Sequence, residues 1–148
     1  MSVNTYQPEP QLATFDDLVR MSRMDGPGTK LLVVLVQVQR HQHKGEDGSY
    51  HTADNEGSLM PHMVRDFPLT EDTRLQDIVA EADQVSTDWE FLMTAVLPGR
   101  NGHPATEEET EPHLTRMAQT LTTAENLEQF AFFTRDGNPI QLQSTVEP

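Results

Sequence analysis

The chain has 148 residues, with 24 Asp and Glu against 10 Lys and Arg, a formal net charge of −14 and no cysteine. Without cysteine there are no disulfides, thiolate nucleophiles, Cys-ligated zinc sites or iron–sulfur clusters, and the negative field repels nucleic acid and anionic lipid. An apolar share of 35% and a mean hydropathy of −0.59 suit one domain with an ordered core smaller than the chain.

Residues 1–12 hold Pro8 and Pro10 among polar residues and read as a flexible lead-in, followed by a single domain over 13–148. From Thr14 the pattern becomes helical: Phe15, Leu18, Val19 and Ser22 share one face, Thr14 suits the N-cap and Asp16 and Asp17 suit the first turn. Asp25-Gly26-Pro27-Gly28 ends this helix. Leu31-Leu32-Val33-Val34-Leu35-Val36 is too short for a typical lone helix and rich in β-branched residues, so it predicts a central strand that turns to strict alternation at Val36-Gln37-Val38-Gln39.

The stretch 41–57 (HQHKGEDGSYHTADNEG) has no apolar period and three glycines, and reads as a long mobile loop at about 41–58. LMPHMVRDF (59–67) adds a short strand or irregular cover, with Pro61 confining any strand to an edge. A second helix follows, with Thr73-x-x-Gln76 as a capping box and Leu75, Ile78, Val79 and Ala82 as its buried stripe. Trp89, Phe91, Met93, Ala95 and Leu97 alternate with Glu90, Leu92, Thr94 and Val96 in a second strand, ended by Pro98-Gly99. A third helix starts at Thr106-x-x-Glu109, or slightly later at Pro112, with Leu114, Met117, Ala118 and Leu121 inward. Two last strands, 130–134 and 140–143, flank Asp136-Gly137, a strong hairpin signal.

The order α-β-α-β-α-β-β predicts an α+β fold with an α/β-like core. Right-handed crossovers would join parallel strands and the last hairpin would add an antiparallel one, giving a four-stranded mixed sheet with helices packed on it.

Charge is unevenly placed along this order. Residues 1–43 carry four acids (Glu9, Asp16, Asp17, Asp25) and four bases (Arg20, Arg23, Lys30, Arg40), whereas 44–90 carry twelve acids against Lys44, Arg65 and Arg74. Such a field attracts cations or a basic protein partner. Glu107, Glu108, Glu109 and Glu111 cluster at the start of the third helix, where carboxylates interact favourably with the helix dipole and also offer a patch to a basic partner.

His41-x-His43 lies at the predicted strand end, and His51 and His62 follow amid Asp47, Asp54 and Glu56, a set of donors for a metal ion; two exposed histidines on a solvated strand end are the plainer account. The acidic loop lacks the ligand spacing of an EF-hand. Gly26-Pro27-Gly28-Thr29-Lys30 enters a strand, where a phosphate loop would enter a helix, and no Gly-x-Ser-x-Gly elbow is present. MSVNTYQPEP has no basic-then-apolar signal, and no apolar run reaches the ~20 residues of a membrane helix, so a soluble cytoplasmic protein without membrane or nucleic-acid partners is expected.

The landmarks FDDL (15–18), LLVVLV (31–36), LMPHMV (59–64), VLPGRNG (96–102) and TRDGNPIQL (134–142) together resemble a small uncharacterised family of proteobacterial proteins. Members sometimes carry the label ribonucleotide reductase alpha subunit, an enzyme that works through cysteine radical and dithiol chemistry. This chain has no cysteine for it. The resemblance implies a compact bacterial domain and no activity.

Three functional expectations remain. The first is a non-catalytic protein-interaction or regulatory module that meets a basic surface, with an inhibitor that mimics nucleic acid as a special case. The second is a small metal-dependent enzyme or metal-binding protein using His41 and His43, with His51 or His62. The third is a small-molecule binder with a pocket between sheet and helices near the strand ends. No cofactor follows from the sequence. A homodimer through the edge of the last hairpin is a further possibility for a sheet with open edges.

Overall fold

A strand covered on one face buries every second residue, so six consecutive apolar residues at 31–36 require cover on both faces. The computed structural model, which describes residues 2–5, 14–44 and 50–144 (the backbone alone at 2–5, 40–44, 50–57 and 143–144), supplies it. Among the described residues there are three helices, α1 (Phe15–Ser22), α2 (Leu75–Val85) and α3 (Glu107–Thr123). Seven strands accompany them: β1 (Ser2–Thr5), β2 (Lys30–Lys44), β3 (Tyr50–Pro68), β4 (Phe91–Leu97), β5 (Ala131–Thr134), β6 (Pro139–Ile140) and β7 (Leu142–Ser144). The fold is α+β, with one sheet in the order β6-β5-β4-β2-β3-β1-β7.

Alternate residues of the central strands serve different cores. Leu31, Val33 and Leu35 join Leu92 and Phe133 under Phe15 and Val19 of α1 and Ile78 and Ala82 of α2. Leu32, Val34 and Val36 join Met93, Phe132 and Ile140 under Met117 and Leu121 of α3. All six residues of the β2 run are at most 1% exposed. Phe15 and Phe133 meet edge to face, with ring centroids 5.6 Å apart, a geometry that adds to the burial of both rings.

The expected four-stranded mixed sheet is corrected to seven strands with every pairing antiparallel. The cause is the stretch read as a long loop. Residues 41–44 continue β2 and 50–57 begin β3, in register as Gln42↔Thr52, His43↔His51 and Lys44↔Tyr50; only 45–49 of that loop lie outside the described residues. Backbone pairing needs no apolar period, so a polar hairpin end leaves no trace in the hydrophobic pattern. The missing return strand also reverses everything after it. With β3 running back along β2, α2 carries the chain to the other flank of β2, and β4 then pairs antiparallel (Val34↔Met93).

Residues 2–5, within the expected lead-in, form β1, which pairs with β3 and β7. The Asp136-Gly137 hairpin forms as expected, with Thr134 N donating to the Asn138 carbonyl, the Thr134 carbonyl accepting from Gly137 N, and Gly137 at φ +86°, a left-handed conformation that suits glycine. Its second strand does not end the sheet alone. One residue, Gln141, separates β6 from β7, yet they stand at opposite ends of the strand order. The segment 139–144 therefore pairs first with β5 and then with β1, and the sheet curls around its α3 side. The longest edge left unpaired among the described residues is 59–68 of β3, since β1 covers β3 only at 56–58. Pro61 sits on that edge beside a register shift (Leu35↔Met63, then Val36↔Pro61), where the missing N–H costs no ladder bond.

Caps follow the sequence at two helices of three. At the start of α1 the backbone N–H of Thr14 and of Asp17 each donates to the other's side chain, and Thr106 and Glu109 do the same at α3, with Pro112 inside the helix instead of at its start. At α2 the expected Thr73–Gln76 box is corrected: the N-cap is Arg74, without a side-chain cap. Thr73 Oγ1 is used one residue earlier, accepting from Thr70 N at 2.9 Å and donating to the Pro68 carbonyl at 3.0 Å.

Phe133→Ala is expected to cost about 3–5 kcal/mol, because the ring is 2% exposed at the meeting of α1, α2 and the sheet. Met24→Ala, at a side chain 84% exposed, is expected to change stability by less than about 0.5 kcal/mol. Urea unfolding followed by circular dichroism compares the two.

Candidate functional site

The inward stripe of α2 (Leu75, Ile78, Val79, Ala82) leaves Asp77 and Glu81, one helical turn apart, on its outer side. The loop from β3 brings Asp72 alongside. Together they border a groove of about 380 Å³ whose apolar wall is Phe67, Pro68 and Ile78. No ion pair holds Asp72, Asp77 or Glu81 among the described residues. One cation stands at the rim: Arg74 donates to the carbonyls of Glu71 at 2.6 Å and Thr73 at 3.2 Å. The groove thus takes its charge from the acid-rich middle of the chain, and its floor from the core.

The far end of α2 is fixed by a knot of side chains. Asp83 Oδ1 accepts from Trp89 Nε1 at 3.1 Å, and Asp83 Oδ2 accepts from Arg135 Nη2. Arg135 also donates from Nη1 to the Trp89 carbonyl at 3.2 Å, with its guanidinium carbon 4.0 Å from the centre of the Trp89 ring. A planar guanidinium suits both the carboxylate and the ring face. These contacts join α2, the approach to β4 and the last hairpin, and they hold the acidic helix at a fixed height over the sheet.

Beside this knot, Ser86 Oγ accepts from Asp88 N at 3.2 Å and lies 2.8 Å from His62 Nε2. With one bond accepted, the hydroxyl is free to donate to the imidazole. His62 is the residue left unmatched at the register shift in β3. The pair can pass a proton, but among the described residues no carboxylate is hydrogen-bonded to the ring. Ser86 is the C-cap of α2, and fixing that turn against β3 accounts for the contact.

The other three histidines of the expected metal set, His41, His43 and His51, have side chains outside the described residues. Their backbones place His43 across from His51 and His41 at the register shift between Arg40 and Gln42. Among the described residues no group of three His, Asp or Glu side chains is placed to hold a metal ion.

The four glutamates at α3 have separate surroundings. Glu107 and Glu108 are exposed in the first turn. Glu111 borders an apolar groove with Val64 and Leu114, while Glu109 borders a cleft on the other flank. Glu109 Oε1 accepts from Thr106 N at 3.0 Å and its own N–H binds Thr106 Oγ1 at 3.2 Å; the bonds from Thr106 to the carboxylate, helped by the charges of Arg100 and Lys30, hold that carboxyl below its ordinary value of 4.5. Asp17 is held below 3.8 by the same bonds to Thr14, helped by Arg20. One member of the patch is therefore committed to the helix cap.

Sequence reasoning named the acid-rich stretch but not the groove within it, nor Asp83 and Arg135. The spacing of Asp77 and Glu81 opposite the apolar stripe was the available signal for the first. A contact spanning 52 residues between Asp83 and Arg135 leaves none. No helix among the described residues is long and apolar enough to cross a membrane. No family model matches the chain, and comparisons with curated proteins and with solved structures found no match.

Arg135→Leu is expected to destabilise the protein by about 1–2 kcal/mol, a moderate loss because both partners are roughly a third exposed. It also removes the cation from the Trp89 ring, so a changed Trp89 emission in the folded protein is the second readout.

The two capping carboxylates have folded values below their ordinary ones, so their stabilisation is present above the ordinary carboxylate range and is lost as pH falls through the lowered values. Glu109→Gln keeps a capping side chain and is expected to flatten the acid limb of a melting-temperature profile between roughly pH 5 and pH 2.

Proposed function

We propose that this protein is a non-catalytic interaction module whose groove beside α2 receives a basic segment of a partner protein. The observation that carries this reading is the groove itself: three carboxylates without ion-pair partners among the described residues, Asp72, Asp77 and Glu81, beside an apolar wall of Phe67, Pro68 and Ile78. A lysine or arginine side chain offers both what the rim and the wall accept, a charged end and an aliphatic stem. The complement is a segment with bases at one-turn spacing and an apolar residue between them.

The knot at Asp83, Trp89 and Arg135 supports the same reading, because it holds α2 in place before any partner arrives. A rigid surface loses less entropy on docking than one that must be ordered. The acid-rich surroundings would speed encounter with a basic partner in a salt-dependent way. Glu107, Glu108 and Glu111 extend the negative field along α3 and act in this proposal as steering charges, with contact made at α2.

The test uses a fluorescein-labelled peptide of alternating Lys and Leu residues, with a Glu and Leu peptide as control. Binding of the basic peptide is expected to weaken at least about tenfold in Asp77→Asn/Glu81→Gln, and to fall steeply as salt rises from about 0.05 to 0.5 M. Equal binding of the acidic control, or basic-peptide affinity indifferent to both salt and the double substitution, would defeat the proposal.

A further inference from the structure

Cations are scarce in this chain, so where the unpaired ones stand is informative. Among the described side chains, Arg20, Lys30 and Arg135 are held in ion pairs, and Arg65 and Arg74 donate to backbone carbonyls. Arg23, Arg100 and Arg116 have no such partner in the hydrogen bonds or ion pairs of the described residues; Arg23 stands on the turn that follows α1, and the other two line the cleft between the end of β4 and α3.

This cleft consists of two cavities of about 300 Å³ each that meet at Leu97, Pro98 and His113. One is floored by Leu32, Ala95, Met117 and Phe130, the core surface under α3, and is bordered by Arg116 and Gln129. The other is bordered by Arg100, His103 and Glu109. Among the described residues Glu109 is the only acid lining either cavity; its carboxylate accepts from the Thr106 N–H and also feels the charge of Arg100, which a ligand anion would have to share. The contrast with the groove beside α2, with which the cleft shares no lining residue, is a reversal of sign on an acidic molecule.

The loop that presents Arg100 and His103 is held firmly. The two residues exchange backbone bonds of 2.9 Å in each direction across Asn101 and Gly102. The loop is pressed onto the turn before β2 so closely that a Cβ on Gly99 would lie 2.8 Å from the Gly28 carbonyl oxygen and one on Gly28 would lie 2.8 Å from the His103 carbonyl carbon. A cationic rim fixed in place over an apolar floor is the arrangement of a small-molecule site: few polar groups, converging on a pocket at the lower end of the usual size range.

We propose that this cleft binds a small organic anion with an apolar body, its carboxylate near His113 between Arg100 and Arg116 and its short acyl or single-ring body on Leu32, Ala95, Met117 and Phe130. The arginines supply charge-assisted hydrogen bonds. The floor supplies burial of the apolar part. Glu109 opposes the ligand, which gives the proposal a variant of opposite sign.

Octanoate titrated by calorimetry into the whole protein, with neutral octanamide as the matched control, tests it. Octanoate is expected to bind and octanamide to bind at least about tenfold more weakly. Arg116→Gln and Arg100→Gln, both at exposed side chains and so harmless to folding, are expected to weaken octanoate by about 5- to 20-fold each. Glu109→Gln, which keeps the cap, is expected to tighten it about two- to fivefold. The proposal is overturned if octanoate does not bind up to about 10 mM, if octanamide binds as well as octanoate, or if neither arginine substitution changes the affinity. None of these outcomes bears on the basic-peptide test, because the two grooves are separate.

Discussion

Cover on both faces of β2 is the constraint from which the rest of the architecture follows. Antiparallel sheets often leave one face to water, but residues 31–36 are apolar without alternation and every one is buried. One set of side chains must be met by α1 and α2, the other by α3. Leaving either set uncovered would expose three large aliphatic side chains, each contributing roughly 1.5–3 kcal/mol when fully buried. Leu92 and Met93 on β4, and Phe133 and Phe132 on β5, obey the same rule by pointing alternately into the two cores. Three strands with two buried faces make a rigid middle layer, and the polar segments attach around it.

The distribution of charge is a consequence of that layer. With both sheet faces covered by helices, the outer surfaces of α2 and α3 and the connecting loops are where carboxylates can stay hydrated, and that is where most of the described acids lie. Ion pairs take up few of them. Arg135 is spent on Asp83 and Trp89, and Lys30 on Asp66 and Thr110, at points where distant parts of the chain meet. What is left is an acidic groove beside α2 and, across the fold, a cleft lined by Arg100 and Arg116, which no ion pair among the described residues holds. The first suits a basic protein segment and the second a small organic anion. The two readings rest on opposite electrostatic signs and on different elements of the same scaffold.

Some elements were legible because the physics that makes them is local. Thr14 and Thr106 each precede an acid three residues on, and reciprocal bonds within one turn follow from that spacing alone. Asp136-Gly137 supplies a left-handed residue where a two-stranded turn needs one. The stripes of α2 and α3 are set by a helical period that the chain carries in itself. Thr73 shows the limit of local reasoning: its hydroxyl had two backbone partners in the preceding loop and was not available to the helix. The polar end of the β2–β3 hairpin was read as a loop because its pairing is made by backbone groups, to which side-chain patterning is blind.

The sequence by itself therefore determined the acidic character, the absence of thiol chemistry, the three helices with their inward faces, and the central apolar strand. Only the tertiary structure decided that all strands run antiparallel, that one strand-like segment closes both ends of the sheet, and which charges remain without partners. Strand direction depends on whether 41–57 turns back, and ion pairing depends on which residues, tens of positions apart, are brought within a few ångströms. Both are properties of distance in space, and a linear pattern of side chains does not contain them.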